Sequence, residues 1–237
     1  MLPHQQIITI DGPSGVGKSS VSRRVASKLG YTYLDTGAMY RGVGLFFYRS
    51  GIEVDDEAKI APRLKEIDIL LIPPTSTNGD VGVILNGEDV SAQIRTPEMA
   101  MIASKISALP CVRSFLTDIQ RKLAQSGKIV AEGRDMGTVV FPQAAHKFFL
   151  DADARERCSR RVIQLREKGI EVDGEEMLEM IRERDRNDSR RAVAPLKKAD
   201  DAQLINTTVL TFEQVCEEIL SAVARKAGST VHPAEPK

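Results

Sequence analysis

The stretch Gly12-Pro13-Ser14-Gly15-Val16-Gly17-Lys18-Ser19 constrains this chain more than any other, because it satisfies G-x-x-x-x-G-K-[ST] at every required position. Wrapping a phosphate chain requires successive backbone N–H groups turned inward. Glycines let the backbone curl through positive φ and approach the phosphates closely. In this pattern Lys18 reaches the β/γ-phosphates and the Ser19 hydroxyl meets a Mg²⁺ ion. The flanking sequence agrees. Ile7-Ile8-Thr9-Ile10 reads as a short buried strand, and Val21, Val25, Ala26 and Leu29 mark one face of a helix. The N-terminus of that helix directs its partial positive charge at the loop's anion.

A chain of 237 residues with 42% hydrophobic content suits one α/β domain with insertions, or one domain plus a small lobe. Lys and Arg number 33 against 33 Asp and Glu, so bulk charge gives no argument for a nucleic-acid partner. Cys111, Cys158 and Cys216 show neither metal-ligand spacing nor a disulfide framework and read as thiols in a reducing compartment. The first strand begins by Ile7, which leaves no room for a signal peptide, and no apolar run approaches the ~18 residues that span a bilayer. A cytoplasmic protein with no membrane partner is expected. Nothing in the sequence argues for an oligomer, so a monomer is expected too.

Along the chain, the loop helix stops at Gly30 and Tyr31 to Leu34 reads as a second strand ending at Asp35. Asp35 to Arg41 leads into a helical pattern through Val43, Phe46 and Phe47. Strand-helix-strand-helix order predicts a parallel sheet. Ile67–Ile72, the turn-rich Pro73–Asp80, Val81–Leu85 and the hairpin signal Asn86-Gly87 before Glu88 to Val90 predict a small inserted antiparallel sheet. Thr96-Pro97 opens one helix and Pro110 another, which Gly127 ends. Lys128–Ala131 is a third strand, delivering Glu132-Gly133-Arg134-Asp135; His146–Leu150 is a fourth, and Gln203–Asn206 a fifth. A helix is expected over Asp153–Lys168, stopped by Gly169. Thr211-Phe212-Glu213-Gln214 is a capping box opening the last helix, and the tail from Gly228 has a disordered composition.

Residues Arg155 to Arg191 hold ten arginines and ten acidic residues in 37 positions. By composition this is a solvated, salt-bridged helical pair. Beside a phosphate loop it reads better as a flap that carries guanidiniums onto a phosphate. Arg157 and Arg161 lie one turn apart and are placed to clamp donor phosphates as the flap closes and excludes water. Arg184, Asp188 and Arg191, spaced i, i+4, i+7, share a helix face, where two guanidiniums flanking a carboxylate suit an anionic, hydroxyl-bearing substrate. Ligands of open parallel sheets bind outside the carboxyl ends of the strands. The loop after strand one, Asp35–Arg41 after strand two and Glu132–Asp135 after strand three therefore line one crevice. Phosphoryl transfer asks for positioning and for cations around the equatorial oxygens, with no protein nucleophile. That fits a chain with only three histidines and no Ser-His-Asp arrangement.

These residues resemble the bacterial-type cytidylate kinases, within the nucleoside monophosphate kinase family. The likeness runs through Ile10-Asp11-Gly12-Pro13-Ser14-Gly15, the loop to Ser20, Leu34 to Arg41, the inserted sheet, Gly133 to Pro142, and Arg191 to Leu196. It implies an α/β P-loop NTPase fold: a five-stranded parallel sheet flanked by helices, with the inserted sheet and a helical lid. Core segments would be 1–37, 110–155 and 192–227; residues 38–109 would form a monophosphate-binding lobe, with its small sheet at about 64–95, and 156–191 the lid. It implies ATP and Mg²⁺, with CMP or dCMP as acceptor and direct transfer of the γ-phosphoryl group.

By the same resemblance Arg41, Arg134 and Arg191 meet the acceptor phosphate, Ser104, Arg113 and Asp135 face the cytosine edge, and Arg184 with Asp188 meets the sugar. Tyr40 and Thr36 also line the acceptor. Thr36 stands where the family often has Ser, and Ser19-Ser20 replaces a common Gly-Thr, so the metal hydroxyl is Ser19, Ser20 or both. Glu132 stands where Asp is common, as partner of a metal-bound water. Two alternatives remain at this level: a kinase for another small acceptor, such as UMP or a shikimate-like acid, or a nucleotide-dependent regulatory module. The guanine-reading N-K-x-D of switch GTPases is absent, and a nucleic-acid-directed ATPase has little support from balanced charge and no aromatic-basic cluster.

Overall fold

The computed structural model describes residues 3–74, 79–167 and 169–228. Part of the turn-rich Pro73–Asp80 segment and the tail beyond Gly228 lie outside the described residues. Eight strands form among the described residues: β1 (Ile7–Asp11), β2 (Thr32–Asp35), β3 (Ile69–Ile72), β4 (Gly82–Leu85), β5 (Glu88–Asp89), β6 (Ile129–Gly133), β7 (His146–Asp151) and β8 (Gln203–Asn206). The helices are α1 (Lys18–Leu29), α2 (Thr36–Arg49), α3 (Glu57–Ile60), α4 (Pro97–Ile106), α5 (Pro110–Leu123), α6 (Ala154–Arg166), α7 (Gly174–Arg190) and α8 (Phe212–Gly228).

The main sheet is parallel throughout, in the order β2-β6-β1-β7-β8. The strands are apolar because both faces are covered, as parallel sheets require. Alternation along β1 shows the two layers. Ile7 joins a cluster under α2, α4 and α5, while Ile8 and Ile10 join the cluster formed with α1 and α8. Each fully buried side chain of this kind contributes about 1.5–3 kcal/mol. The smaller sheet, β3-β4-β5, is antiparallel and turns at Asn86 and Gly87, both with positive φ as a two-residue hairpin demands.

Caps end the helices where the sequence placed them. Gly30 is left-handed and its N–H bonds back to Ser27 O at 3.3 Å. The Thr96 hydroxyl accepts from Met99 N at 3.1 Å, and Thr211 and Gln214 bond reciprocally. Several boundaries differ. The helix opened by Pro110 ends at Leu123, four residues before left-handed Gly127, and α6 stops at Arg166. Helix α3 and a 3-10 helix over Ala61–Glu66, with Pro62 in its first turn, carry no periodic signal. Arg191 lies outside α7: with ψ at 142° it has left the helix, so its side chain is aimed by an extended residue and not by helical phase.

Candidate active site

The loop between β1 and α1 folds by necessity. Gly12, Gly15 and Gly17 have φ of +148°, +82° and +93°. A Cβ on Gly12 would sit 2.1 Å from the Leu150 carbonyl oxygen, so only glycine lets the loop cross β7. Pro13 and Val16 are buried beneath it, while Gly15, Gly17, Ser19 and Ser20 are exposed. Lys18 is buried, its Nζ donating to Pro13 O at 2.6 Å. Burial and the neighbouring Arg134 and Arg184 push its ammonium well below the usual lysine range, against the opposing pull of Glu132 and Asp11.

Four arginines share that electrostatic neighbourhood. Arg184 on α7 donates to Ser14 Oγ at 3.2 Å, and its Nε is buried without a partner. Burial, then Arg134, lowers it to about 10, with Arg41 and Arg161 acting in the same direction. Arg161 is lowered by burial and by Arg41. Arg41 reaches Asp35 at 3.5 Å and has a buried, unpartnered Nε. Cations this close repel one another; Asp35, Asp188 and Glu132 offset part of that repulsion, and a multiply charged anion would relieve the rest.

Arg157 is placed differently. Its three nitrogens donate to Ala152 O at 3.0 Å, Ser14 O at 3.0 Å and Asp185 Oδ2 at 2.6 Å. Where the sequence suggested a second clamp on the donor phosphates, the guanidinium is committed to the protein and braces the loop from below.

A second constellation lies beside the first. Arg113 on α5 pairs with Asp135 and donates to Ser107 O at 3.0 Å; both charged side chains are almost wholly buried. The Arg113 guanidinium lies 5.7 Å from the centre of the Tyr40 ring. Arg191 donates to Ala194 O at 2.5 Å and Ser107 Oγ at 3.3 Å, and its Nη2 lies 3.9 Å from Asp135. Ser104 contributes its carbonyl to the Ser107 hydroxyl. Asp188 links the two groups: its Oδ2 accepts from Arg134 Nε at 2.7 Å, with Arg184 and Arg191 close by. Burial pushes the Asp188 carboxyl up, and these guanidiniums outweigh it, leaving it below the usual carboxylate range.

Asp135 stands at the start of a π-helical turn, Met136–Val140, that follows β6. The buried Asp11 carboxylate accepts from Met136 N and Gly137 N, each at 2.8 Å. The Thr36 hydroxyl donates to Glu132 O at 2.6 Å, so its proton serves the β6 backbone.

Glu132 accepts from the Tyr33 hydroxyl and faces the Ser19 hydroxyl, while its Oε2 is buried with no partner. Burial and the adjacent Asp35 raise its carboxyl above the usual range. Hard oxygen donors, an orphaned carboxylate oxygen and a repulsion that a cation would relieve all fit Mg²⁺. That ion needs only one or two protein groups when phosphates supply the rest. Sequence reasoning missed Ser107, Tyr33 and Asp185 as parts of the site. Asp11 carried a signal, as the lone charge ending an apolar strand, whereas Ser107 and Asp185 carried none.

A phosphate-cradling loop facing a set of guanidiniums across the carboxyl ends of a parallel sheet defines a P-loop phosphotransferase acting between two phosphate-bearing ligands. The family follows from comparison: a cytidylate kinase profile matches residues 8–225, and the chain belongs to the cytidylate kinase family. It is 48% identical over 222 residues to a cytidylate kinase of Syntrophotalea carbinolica, covering 94% of this chain and 93% of that one. It is 50% identical over 219 residues to one from Thermosipho melanesiensis, covering 92% and 97%. A solved structure of an uncharacterized protein from Eubacterium ventriosum shares the fold at 13% identity, with a TM-score of 0.50 over 93% of this chain and 99% of that one. No single helix among the described residues is long and apolar enough to cross a membrane.

Proposed function

We propose that the protein transfers the γ-phosphoryl group of ATP to the phosphate of CMP or dCMP, giving ADP with CDP or dCDP. The observation that carries this reading is the adjacency of two groups. Lys18, Arg41, Arg134, Arg161 and Arg184 repel one another around the phosphate loop, and the buried Arg113–Asp135 pair stands next to them. Membership of the cytidylate kinase family supports the same substrates.

In the mechanism, the loop amides and Lys18 hold the donor's β/γ-phosphates, while Arg41, Arg134 and Arg191 hold the acceptor phosphate. An acceptor phosphate oxygen forms a bond to the γ-phosphorus as the bond to the β-phosphate oxygen breaks. The nucleophile is already anionic, so no protein base is required. Arg161 and Arg184 stabilise charge on the transferring group. Ser19, with Glu132 through water, would hold Mg²⁺, which when bound neutralises charge on the β- and γ-oxygens.

Asp135 offers carboxylate lone pairs to the cytosine amine, and Arg113 with Ser104 can donate to the ring acceptors. Uracil has a carbonyl in place of that amine, and an unmade buried hydrogen bond costs about 1–3 kcal/mol. Residues 38–109 act as the monophosphate lobe and 156–191 as a lid that closes on both ligands. Balanced charge and unpaired cysteines support a cytoplasmic setting without nucleic acid, and a monomer suffices for this chemistry.

The test is a panel of CMP, dCMP, UMP, AMP, GMP and a shikimate-like acid with ATP and Mg²⁺, reading ADP production. CMP and dCMP should lead; a clear preference for any other acceptor overturns the reading.

A further inference from the structure

Asp11 sits at the carboxyl end of β1, immediately before Gly12, yet its side chain does not serve the phosphate loop. Both carboxylate oxygens are turned sideways onto the turn after β6, one accepting from Met136 N and the other from Gly137 N, each at 2.8 Å. The backbone there is π-helical, with Phe141 N bonding to Met136 O at 2.7 Å, and such a wide turn leaves N–H groups that need an outside acceptor. Gly137 permits the approach. A Cβ there would lie 3.0 Å from Thr9 Oγ1 and 3.4 Å from Asp11 Oδ2. Asp135, which pairs with Arg113, is the residue just before these two amides.

We propose that Asp11 is a positioning residue for acceptor recognition: it fixes the turn that aims Asp135 and Arg134, and so sets the choice of cytosine over uracil. The inference rests on the proposed placement of Asp135 at the base. Two side-chain oxygens, each offering a lone pair, satisfy both amides. An asparagine would turn an NH₂ toward one of them.

The experiment compares the wild type, Asp11→Asn and Gly137→Ala, each checked for a cooperative thermal transition. Initial rates are measured with CMP and UMP at saturating ATP, and with ATP at saturating CMP. For Asp11→Asn the KM for CMP should rise about 5- to 100-fold, the span of a buried hydrogen bond left unmade. The CMP-over-UMP ratio of kcat/KM should shrink, and the KM for ATP should stay within about threefold. Gly137→Ala keeps the carboxylate and displaces the turn, so it should show the same split even if Asp11→Asn does not fold. Equal losses toward ATP and CMP, or an unchanged CMP-over-UMP ratio in a folded variant, overturn the proposal. A wild type that does not prefer CMP sinks the functional reading instead, so the two failures are distinct.

Discussion

The Arg157 guanidinium donates to the carbonyl oxygen of Ser14 at 3.0 Å, so a side chain from α6 braces the tip of the phosphate loop. Its Nη2 holds Asp185 of α7 at 2.6 Å, so the same group ties both α6 and α7 to the loop. Arg157→Ala would leave Asp185 and two carbonyl oxygens without their donor. Breaking a largely buried charged pair costs about 2–4 kcal/mol, and the unfolding midpoint should fall by roughly 4–16 °C. Arg161→Ala removes a cation repelled by Arg41, so the midpoint should hold or rise while kcat falls at least about tenfold. Thermal unfolding and steady-state kinetics on both variants check this division. Similar losses of stability in the two would contradict it.

Arg191, which the proposed mechanism gives to the acceptor phosphate, has Arg113, Asp135, Asp188 and Tyr40 as its electrostatic neighbours. Arg191→Ala should lower kcat/KM for CMP by about 10- to 150-fold, matching a lost charged hydrogen bond. The dissociation constant for ATP, measured by calorimetry, should move less than about threefold. Undiminished activity with CMP would remove Arg191 from the acceptor site.

Asp135, proposed above to read the base, also neutralises the buried Arg113 charge. Asp135→Ala leaves Arg113 charged, buried and unpaired, which should cost about 3–5 kcal/mol in urea unfolding. Replacing both partners, with Arg113→Met and Asp135→Leu, should recover most of that stability and none of the CMP kinase activity. If the double variant is no more stable than Asp135→Ala, the unpaired charge is not the cause.

Burial pushes the Asp11 carboxyl up to about 7, against the lowering effect of the Gly137 and Met136 amides; Asp135 raises it further and Lys18 opposes. The folded chain therefore keeps a proton between the ordinary aspartate value near 3.8 and about 7 that the unfolded chain has lost. Because the native state binds more protons there, this group's contribution to stability declines as pH rises through that window. Relative to Asp11→Asn, the wild type should lose on the order of 1–4 kcal/mol between pH 4 and pH 8 in urea unfolding. A difference that is flat, or that grows with pH, would show that Asp11 ionises freely in the fold.

What could be read in the sequence was local. The phosphate loop, the Gly30 and Thr96 caps and the Asn86-Gly87 hairpin each depend on a few adjacent residues, and each forms as expected. The arginines of the site were also visible, because guanidiniums beside a phosphate loop have few other uses. Their aim was not. Arg157 turns into the protein because Asp185, 28 residues away, and the Ser14 carbonyl meet it there. Arg191 points by virtue of an extended residue that helical spacing could not anticipate. The π-helical turn takes two of its hydrogen bonds from Asp11, more than a hundred residues earlier, and no periodicity within Met136–Val140 announces it.

Strand order has a further consequence. β1 lies directly between β6 and β7, so the segments bearing the donor loop and the acceptor turn are adjacent rungs of one hydrogen-bonded ladder. Neighbouring rungs stand about 4.8 Å apart, a spacing set by peptide geometry. The gap a phosphoryl group must cross is thus referenced to the backbone lattice of the sheet. Helices on either side can drift in sequence while the ruler beneath the reaction keeps its length.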